Sequence, residues 1–308
     1  MTWSPTPISE GPLSPDQSAL VVELASAAQR ADGVAPLSEH VLLHLRHGDT
    51  ERSRDLLLLA DDTVAGYAHL DALEEDTRGA GGMSGELVVH PAYRRRGFGT
   101  ALIAALSAGG GGHAIKLWAH GDLPGAAGLA RSAGFTRIRA LFQMRMPLTG
   151  PAVASPVLPA GITLRTFRPG HDEQAWLRVN RRAFADHPEQ GAWTSQDLEL
   201  REAEPWFDPA GFFLAERDGE LAGFHWTKVH PAEAGGSAIG EVYVVGVDPA
   251  QQGGGLGRAL TLAGLEHLQR RGLEQVMLYV DESNTAAVKM YTTLGFERWS
   301  TDVMYRRP

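Results

Sequence analysis

The chain has 308 residues, 43% hydrophobic, with no cysteine and a net charge of −9, divided as −3 over the first 150 residues and −6 over the rest. That length suits two domains of roughly 150 residues, and the composition excludes a disulfide framework, a thiol nucleophile and a thiolate metal site and argues against nonspecific nucleic-acid binding. No apolar run approaches the ~18 residues that span a membrane, and the Pro/Ser-rich start, Met1 to Asp16, has no signal-peptide pattern, so a cytoplasmic protein without a membrane partner is expected.

A helix is predicted near Asp16–Arg30, then a hairpin over Leu56–Leu70 turning at Asp61-Asp62. The strand Glu86–Val89 precedes a helix at Thr100–Ala108, a strand at Ile115–Ala119, a helix ending at Ala133-Gly134-Phe135 and a strand at Ile138–Met146. Residues 147–161 hold four prolines and no periodicity, which reads as a stiff connector. Beyond it, strand Ile162–Phe167 and helices Glu173–Ala185 and Gln196–Glu204 lead to a hairpin, Phe212–Arg217 with Leu221–Val229, around Asp218-Gly219. Strand Glu241–Val247, helix Leu256–Arg271, strand Gln275–Val280, helix Thr285–Leu294 and strand Arg298–Arg306 complete the chain. The order repeats at an offset of about 158 residues, as in a duplicated domain. The expected division is 1–147, a linker at 148–161, and 162–308. The fold class is α/β in the sense of a mixed sheet flanked by helices, twice over.

The repeat is sharpest at two glycine turns. Gln252-Gly-Gly-Gly-Leu-Gly257 follows the strand ending at Val247, and Arg94-Arg-Arg-Gly-Phe-Gly99 follows the strand ending at Val89. A glycine turn entering a helix aims several backbone N–H groups at one point beside the positive end of the helix dipole, which binds phosphate. No Gly-Lys-Ser/Thr follows either turn, so a nucleotide P-loop is disfavoured. No His/Asp/Glu group has metal-ligand spacing along the sequence, and no metal is expected.

These turns, with Asn284 to Lys289 and the following Tyr291-Thr-Thr-Leu-Gly-Phe296, resemble the GNAT superfamily of N-acetyltransferases. Over nearly the whole chain, Gly33-Val-Ala-Pro36, Leu117-Trp-Ala-His-Gly121, His187-Pro-Glu-Gln-Gly191 and Trp206-Phe-Asp-Pro209 are similar to the mycothiol synthase family of actinobacteria. So are His225-Trp-Thr-Lys-Val-His-Pro231 and Gly240-Glu-Val-Tyr-Val244. The resemblance implies two tandem GNAT-fold domains and acetyl-CoA as co-substrate. It also implies a small-molecule acceptor, the cysteinyl amine of a cysteine–glucosamine–inositol conjugate. A monomer is expected. Another amine, an aminoglycoside or a protein N-terminus, is the alternative, and a non-enzymatic acyl-CoA sensor is the rival from another class.

The resemblance places CoA against Val245, Gly246 and Val247, with Gly246 at a bulge, and against Gln252, Gly253, Gly254, Gly255, Leu256, Gly257 and Arg258. Asn284, Thr285, Ala286, Ala287, Val288 and Lys289 follow. Gly253 and Gly254 stand where basic residues are common in the family. In the first half the matching positions are Leu87, Val88, Val89, Arg95, Arg96, Gly97, Phe98, Gly99 and Thr100.

Glu241 is the candidate general base: a free α-amine has a pKa of about 7.7–8.0 against roughly 10.4 for lysine, so a carboxylate acting through water suffices. Tyr291 is the candidate general acid for a thiol leaving group of pKa about 8.5. From spacing alone, Glu241 reads equally as a solvated carboxylate and Tyr291 as a core aromatic. Glu189, Lys228, Tyr279 and Glu39 match acceptor-contacting positions of the family, and Glu39 would require the two domains to meet around the substrate. Aligning the halves places Met83 on Glu241 and Ala130 on Tyr291. The first domain is thus expected to bind acetyl-CoA without catalysing.

Overall fold

The computed structural model describes residues 8–47, 53–60, 63–73, 82–108, 113–185, 187–232 and 236–308. The expected turn at Asp61-Asp62 lies outside the described residues. The chain forms two compact units, Met1–Leu141 with Ser300–Pro308, and Phe142–Trp299.

In the N-terminal unit β1 (Ile8–Glu10) leads to α1 (Pro15–Asp32), α2 (Glu39–His47), β2 (Ser53–Ala60) and β3 (Thr63–Leu73). β4 (Gly82–Val89), α3 (Phe98–Ala108), β5 (Ala114–Ala119), α4 (Pro124–Ser132) and β6 (Thr136–Pro147) follow. β1 to β4 pair antiparallel in sequence order, and β5 lies parallel to β4. Helix α1 starts at a capping box: Ser14 N–H donates to Gln17 Oε1 at 2.8 Å and Gln17 N–H to Ser14 Oγ at 3.2 Å. Alternation along the strands sends Leu57, Tyr67 and Val88 to α1, and Leu56, Ala68 and Leu70 to Phe98 and Leu102 of α3.

The second unit contains β7 (Ile162–Thr166), α5 (Glu173–Ala183), α6 (Pro188–Gly191), α7 (Ser195–Glu202), β8 (Phe212–Arg217) and β9 (Glu220–His230). After them come β10 (Ile239–Val247), α8 (Leu256–Arg270), β11 (Gln275–Asp281), α9 (Thr285–Leu294) and β12 (Glu297–Arg307). β7 to β10 are antiparallel neighbours and β11 lies parallel to β10. The β8–β9 hairpin turns at Asp218 (φ +53) and Gly219 (φ +82), the two positive values that an Asp-Gly turn supplies. One sheet face packs aromatic rings: Phe212 stacks on Trp226 at 4.5 Å, and Trp176 of α5 meets Phe224 edge-on at 5.1 Å. The other face receives the α8 stripe Leu256, Ala259, Leu260 and Ala263, all buried.

The units do not divide where the Pro-rich segment suggests. Val303–Arg307 of β12 pair antiparallel with β5 and belong to the N-terminal unit, while residues 142–147 of β6 lie beside β11 in the second. A strand joins the sheet edge to which it hydrogen-bonds, whatever its place in the chain. The Pro-rich segment itself is tied to α8: Gln269 Nε2 donates to Leu148 O at 3.0 Å and Pro151 O at 3.1 Å, and Val153 N–H donates to Gln269 Oε1 at 2.8 Å.

Gly264, within α8, is required by close approach. A Cβ there would fall 2.0 Å from the ring of His225, which is buried with Nδ1 2.7 Å from the Leu260 carbonyl oxygen. Burial pushes the His225 pKa down to about 4, so the ring is neutral and has no charge to drive it outward. Gly264→Ala should therefore destabilise the protein by about 1–3 kcal/mol through overpacking. Urea unfolding would show this as a lower midpoint, and an unchanged midpoint would mean that α8 sits less tightly on β9.

Candidate active site

β10 is paired on both edges at its start and on one at its end. Against β11 it pairs only from Gly240 to Val242, with Val276 to Leu278, whereas against β9 it pairs through Val247. Val245, Gly246 and Val247 therefore line a strand edge with no β11 partner. The register with β9 shifts between Val242 and Val244, making Tyr243 the extra residue of a bulge. This corrects the expected bulge at Gly246. Gly246 pairs regularly with Phe224, and a Cβ on it would fall 2.7 Å from that ring, so the glycine serves close packing.

Past Val247 the chain makes a tight turn at Pro249–Gln251, where Asp248 accepts from Ala250 N–H at 3.0 Å. Gln252 Nε2 then donates to Val247 O at 3.3 Å. Gly253 and Gly255 take φ +87 and +82, and α8 begins at Leu256 with no side chain capping it. Its first N–H groups are thus left for solvent or a ligand. Gln252, Gly253, Gly254, Gly255 and Arg258 are exposed, and Gly257 is half-buried.

The N-terminal unit repeats this geometry with different residues. Arg94 Nε donates to Val89 O at 3.1 Å, as Gln252 does to Val247 O, and its guanidinium forks onto Asp32 at 2.6 and 2.7 Å. Arg95, aligned with Gly253, also has a positive φ of +62, and Gly97 has +87. Position 253 is thus a left-handed one, where glycine relieves the strain an L-residue carries at the expense of a positive charge. Leu87, Val88, Val89, Arg95, Gly97, Phe98, Gly99 and Thr100 line one cavity of about 760 Å³. The Arg96 guanidinium lies 5.5 Å from the Tyr93 ring centroid.

Glu241 lies directly opposite Lys228 of β9 and Met277 of β11. It is buried, with Oε2 2.7 Å from His230 Nε2. Lys228 is buried as well, its ammonium 4.3 Å from the Trp206 ring centroid and 5.1 Å from that of Tyr243. Arg201 of α7 donates from Nε to the Tyr243 hydroxyl at 2.9 Å and lies 3.9 Å over Trp193. A carboxylate, an ammonium and an imidazole thus meet an aromatic wall. Sequence reading missed His230, Arg201 and Tyr243 as site residues. His230 and Tyr243 lie inside quoted family segments, but Arg201 carries no local signal.

Tyr291 is buried with Val242, Leu278 and Phe296, its ring 5.7 Å from that of Phe296. Burial pushes its pKa up to about 12, so the hydroxyl keeps its proton at neutral pH. Asn284 caps α9, its Oδ1 accepting from Ala287 N–H at 3.1 Å. Thr285, Ala286 and Lys289 are exposed, and Ala287 and Val288 half-buried. Tyr279 is 43% exposed, and its hydroxyl accepts from Gln143 Nε2 at 2.7 Å. Glu189 lies in α6, with its side chain outside the described residues, and Glu39 opens α2 of the N-terminal unit.

Backbone geometry supports the expected alignment of the halves at Tyr291 and corrects it at Glu241. Phe135 N–H donates to Ala130 O and Phe296 N–H to Tyr291 O, each at 3.0 Å, so Ala130 holds the position of Tyr291. At the other position Ser84 pairs with Asp71 of β3 and Lys116 of β5 as Glu241 does with Lys228 of β9 and Met277 of β11; β4 lacks the extra bulge residue that Tyr243 adds to β10, so Ser84 rather than Met83 holds the position of Glu241. Without a carboxylate at Ser84, the N-terminal unit buries a network on Asp55. His69 Nδ1, His44 Nε2 and the Tyr67 hydroxyl lie 2.9, 2.8 and 2.6 Å from its oxygens. His69 Nε2 meets Asp71 at 3.1 Å, and His40 Nε2 meets the same oxygen at 2.8 Å. Helix α2 and strands β2 and β3 assemble these groups, which sequence spacing does not reveal. They fall into two His/Asp sets with donor atoms within 4.8 Å, but each short contact joins a ring nitrogen to a carboxylate oxygen, as in hydrogen bonds.

Burial pushes the His69 pKa down, but hydrogen bonds to Asp55 and Asp71 and their charges outweigh it and raise it to about 9. A raised histidine pKa stabilises fully below the unfolded value of about 6.5, and that stabilisation is lost as pH rises through about 9. His69→Gln should therefore destabilise on the order of a few kcal/mol at acidic to neutral pH, with the gap to wild type closing toward alkaline pH. Urea unfolding across that range checks this, and a gap independent of pH would show that the network holds His69 neutral.

Comparison with known proteins places these two units. Residues 176–296 match the acetyltransferase (GNAT) family, and residues 53–137 match an acetyltransferase (GNAT) domain. The chain is 61% identical to a mycothiol acetyltransferase of Thermobispora bispora, over 96% of this chain and 97% of that one. Among solved structures, a GCN5-related N-acetyltransferase from Sphaerobacter thermophilus is 26% identical with a TM-score of 0.67, over 97% of this chain and 95% of that one. A tandem GNAT protein from the clavulanic acid biosynthesis pathway is 22% identical with a TM-score of 0.73, over 98% of each chain, and shares the fold. Two mixed α/β units, each with a glycine turn between a strand and a helix, agree with these matches: the chain belongs to the mycothiol acetyltransferase family and is built from two GNAT domains in tandem.

Proposed function

We propose that this chain transfers the acetyl group of acetyl-CoA to the cysteinyl amine of a cysteine–glucosamine–inositol conjugate, releasing mycothiol and CoA, and that the second unit carries the chemistry. The observation that carries the assignment to that unit is positional. Glu241 and Tyr291 occupy places where the otherwise parallel N-terminal unit has Ser84 and Ala130.

Acetyl-CoA, when bound, supplies an activated acyl carbon and a thiol leaving group. The open edge at Val245, Gly246 and Val247 suits its extended arm, and the turn from Gln252 to Arg258 suits its phosphates. A Cβ on Gly257 would meet only Val247, at 3.7 Å, so no neighbour in the unit demands glycine there, as fits a backbone approached by a ligand. Asn284 to Lys289 border the same site on this reading. Glu241 takes the proton of the acceptor ammonium, directly or through water, freeing the nitrogen lone pair to form the C–N bond. Tyr291 gives its proton to sulfur as the C–S bond breaks; the second proton leaves the nitrogen to water at that step, and Tyr291 regains its proton from solvent. Lys228, Tyr279 and Glu189 contact the acceptor. The N-terminal unit holds a second acetyl-CoA in its cavity without turning it over, Arg95 and Arg96 supplying the charge that Gly253 and Gly254 lack. The protein acts as a cytoplasmic monomer.

The test is thiol release from acetyl-CoA with three acceptors: the conjugate, an aminoglycoside and a peptide N-terminus. Strong preference for the conjugate is expected. Preference for another amine would keep the transferase and discard the acceptor. Acetyl-CoA binding without turnover on any amine would favour a sensor.

A further inference from the structure

Glu241 is held by a residue that the proposed reaction does not yet use. His230 is the last residue of β9 and pairs with Ile239 at the start of β10. Glu241 stands two residues further along β10, so the two side chains form a diagonal pair on one face of the ladder. Their contact is short, Nε2 to Oε2 at 2.7 Å, and it joins a side chain 33% exposed to one 9% exposed. At that distance a carboxylate oxygen requires a proton on the facing nitrogen, so Nε2–H is the donor.

We propose that His230 is a positioning residue for Glu241. Its Nε2–H occupies Oε2 and locks the carboxylate rotamer, so that Oε1 is the oxygen presented to the acceptor amine. This rests on the reading of Glu241 as the base of an amine acetylation. The arrangement resolves a difficulty of the site. A buried carboxylate is costly unless it is hydrogen-bonded, and an unanchored one would turn toward the nearest cation. The Lys228 ammonium lies directly across the ladder but is turned to the Trp206 and Tyr243 rings. Among the described residues, the ladder places two charged groups on the face of His230: Glu241 diagonally across on β10 and Lys228 two residues back on its own strand. His230 engages the carboxylate from the more exposed side and leaves the inner oxygen to the chemistry. No bond forms or breaks at His230 in this role, which is orientation and charge stabilisation.

Two variants test it, His230→Ala and His230→Gln, each assayed for kcat and KM of the acceptor amine and for thermal stability, with the wild type and Glu241→Gln alongside. His230→Ala should lower kcat/KM by roughly tenfold to a hundredfold, part of the 10²–10⁴ that a positioned base contributes. The loss should fall on kcat, with the amine KM changing less, because the carboxylate remains but is no longer held in place. His230→Gln keeps a neutral N–H donor and should recover part of the rate. The acetyl-CoA KM should stay unchanged in both. A purely structural histidine would lower thermal stability and rate together, with no gain from glutamine over alanine. Variants that keep the wild-type kcat, or a well-folded His230→Gln no faster than His230→Ala, would overturn the inference, and His230→Gln at the wild-type rate decides this even if His230→Ala folds poorly. If Glu241→Gln is as active as the wild type, the underlying reading of Glu241 fails instead.

Discussion

Glu241→Gln should lower kcat by about 10²–10⁴, the range that a positioned general base contributes, with the acetyl-CoA KM largely unchanged. Glutamine keeps the shape of the side chain and can still bond His230, so the buried diagonal pair of β9 and β10 stays filled. What it loses is the capacity to take a proton. The defect should also depend on pH. A free α-amine has a pKa of about 7.7–8.0, so at alkaline pH more of the acceptor arrives already neutral and the base has less to do. The ratio of wild-type to variant rate should therefore fall between neutral and alkaline pH. Measuring kcat/KM for the amine at both ends checks this. A defect that grows with pH would place Glu241 in substrate binding rather than proton removal.

Tyr291→Phe should cost about 10²–10³ in kcat through loss of the general acid. Phenylalanine retains the ring that packs against Phe296 and Val242, so unfolding should be affected little. The raised pKa of about 12 keeps the wild-type hydroxyl protonated throughout the neutral range, so its own titration should not shape the rate below that value. The variant should not recover at alkaline pH, which separates it from Glu241→Gln. It should recover when the leaving group needs no proton. Replacing acetyl-CoA with an acyl donor of lower leaving-thiol pKa should shrink the gap between variant and wild type. An undiminished gap would show that Tyr291 orders the acyl donor rather than protonating sulfur.

Much of this architecture is visible along the sequence because it is local. The glycine turns, the Asp218-Gly219 hairpin and the α8 stripe each announce themselves within a few residues. What stayed hidden depends on contacts distant in sequence. Helix α2 falls where the sequence predicts no element: its buried Val41, Leu43 and Leu45 do not follow a helical period, and packing settles its form. The bulge falls at Tyr243 rather than Gly246 because the register with β9 is a property of two strands. β12 leaves the unit of the elements before it because its hydrogen-bond partner is β5. The anchors of the site, His230 on Glu241 and Arg201 on Tyr243, join residues 11 and 42 apart, beyond the reach of any motif. Arg95 shows the converse: its left-handed backbone explains the glycine at 253, which from sequence alone reads as a missing charge.

The most direct measurement is the rate of CoA thiol release with the cysteinyl-glucosaminyl-inositol amine, comparing wild type with the Glu241→Gln/Tyr291→Phe double variant. The double variant leaves the N-terminal cavity intact. If the second unit carries the chemistry, the wild type turns over and the double variant falls to near the uncatalysed rate while still binding acetyl-CoA. A double variant that keeps most of the wild-type rate would place the reaction elsewhere in the chain.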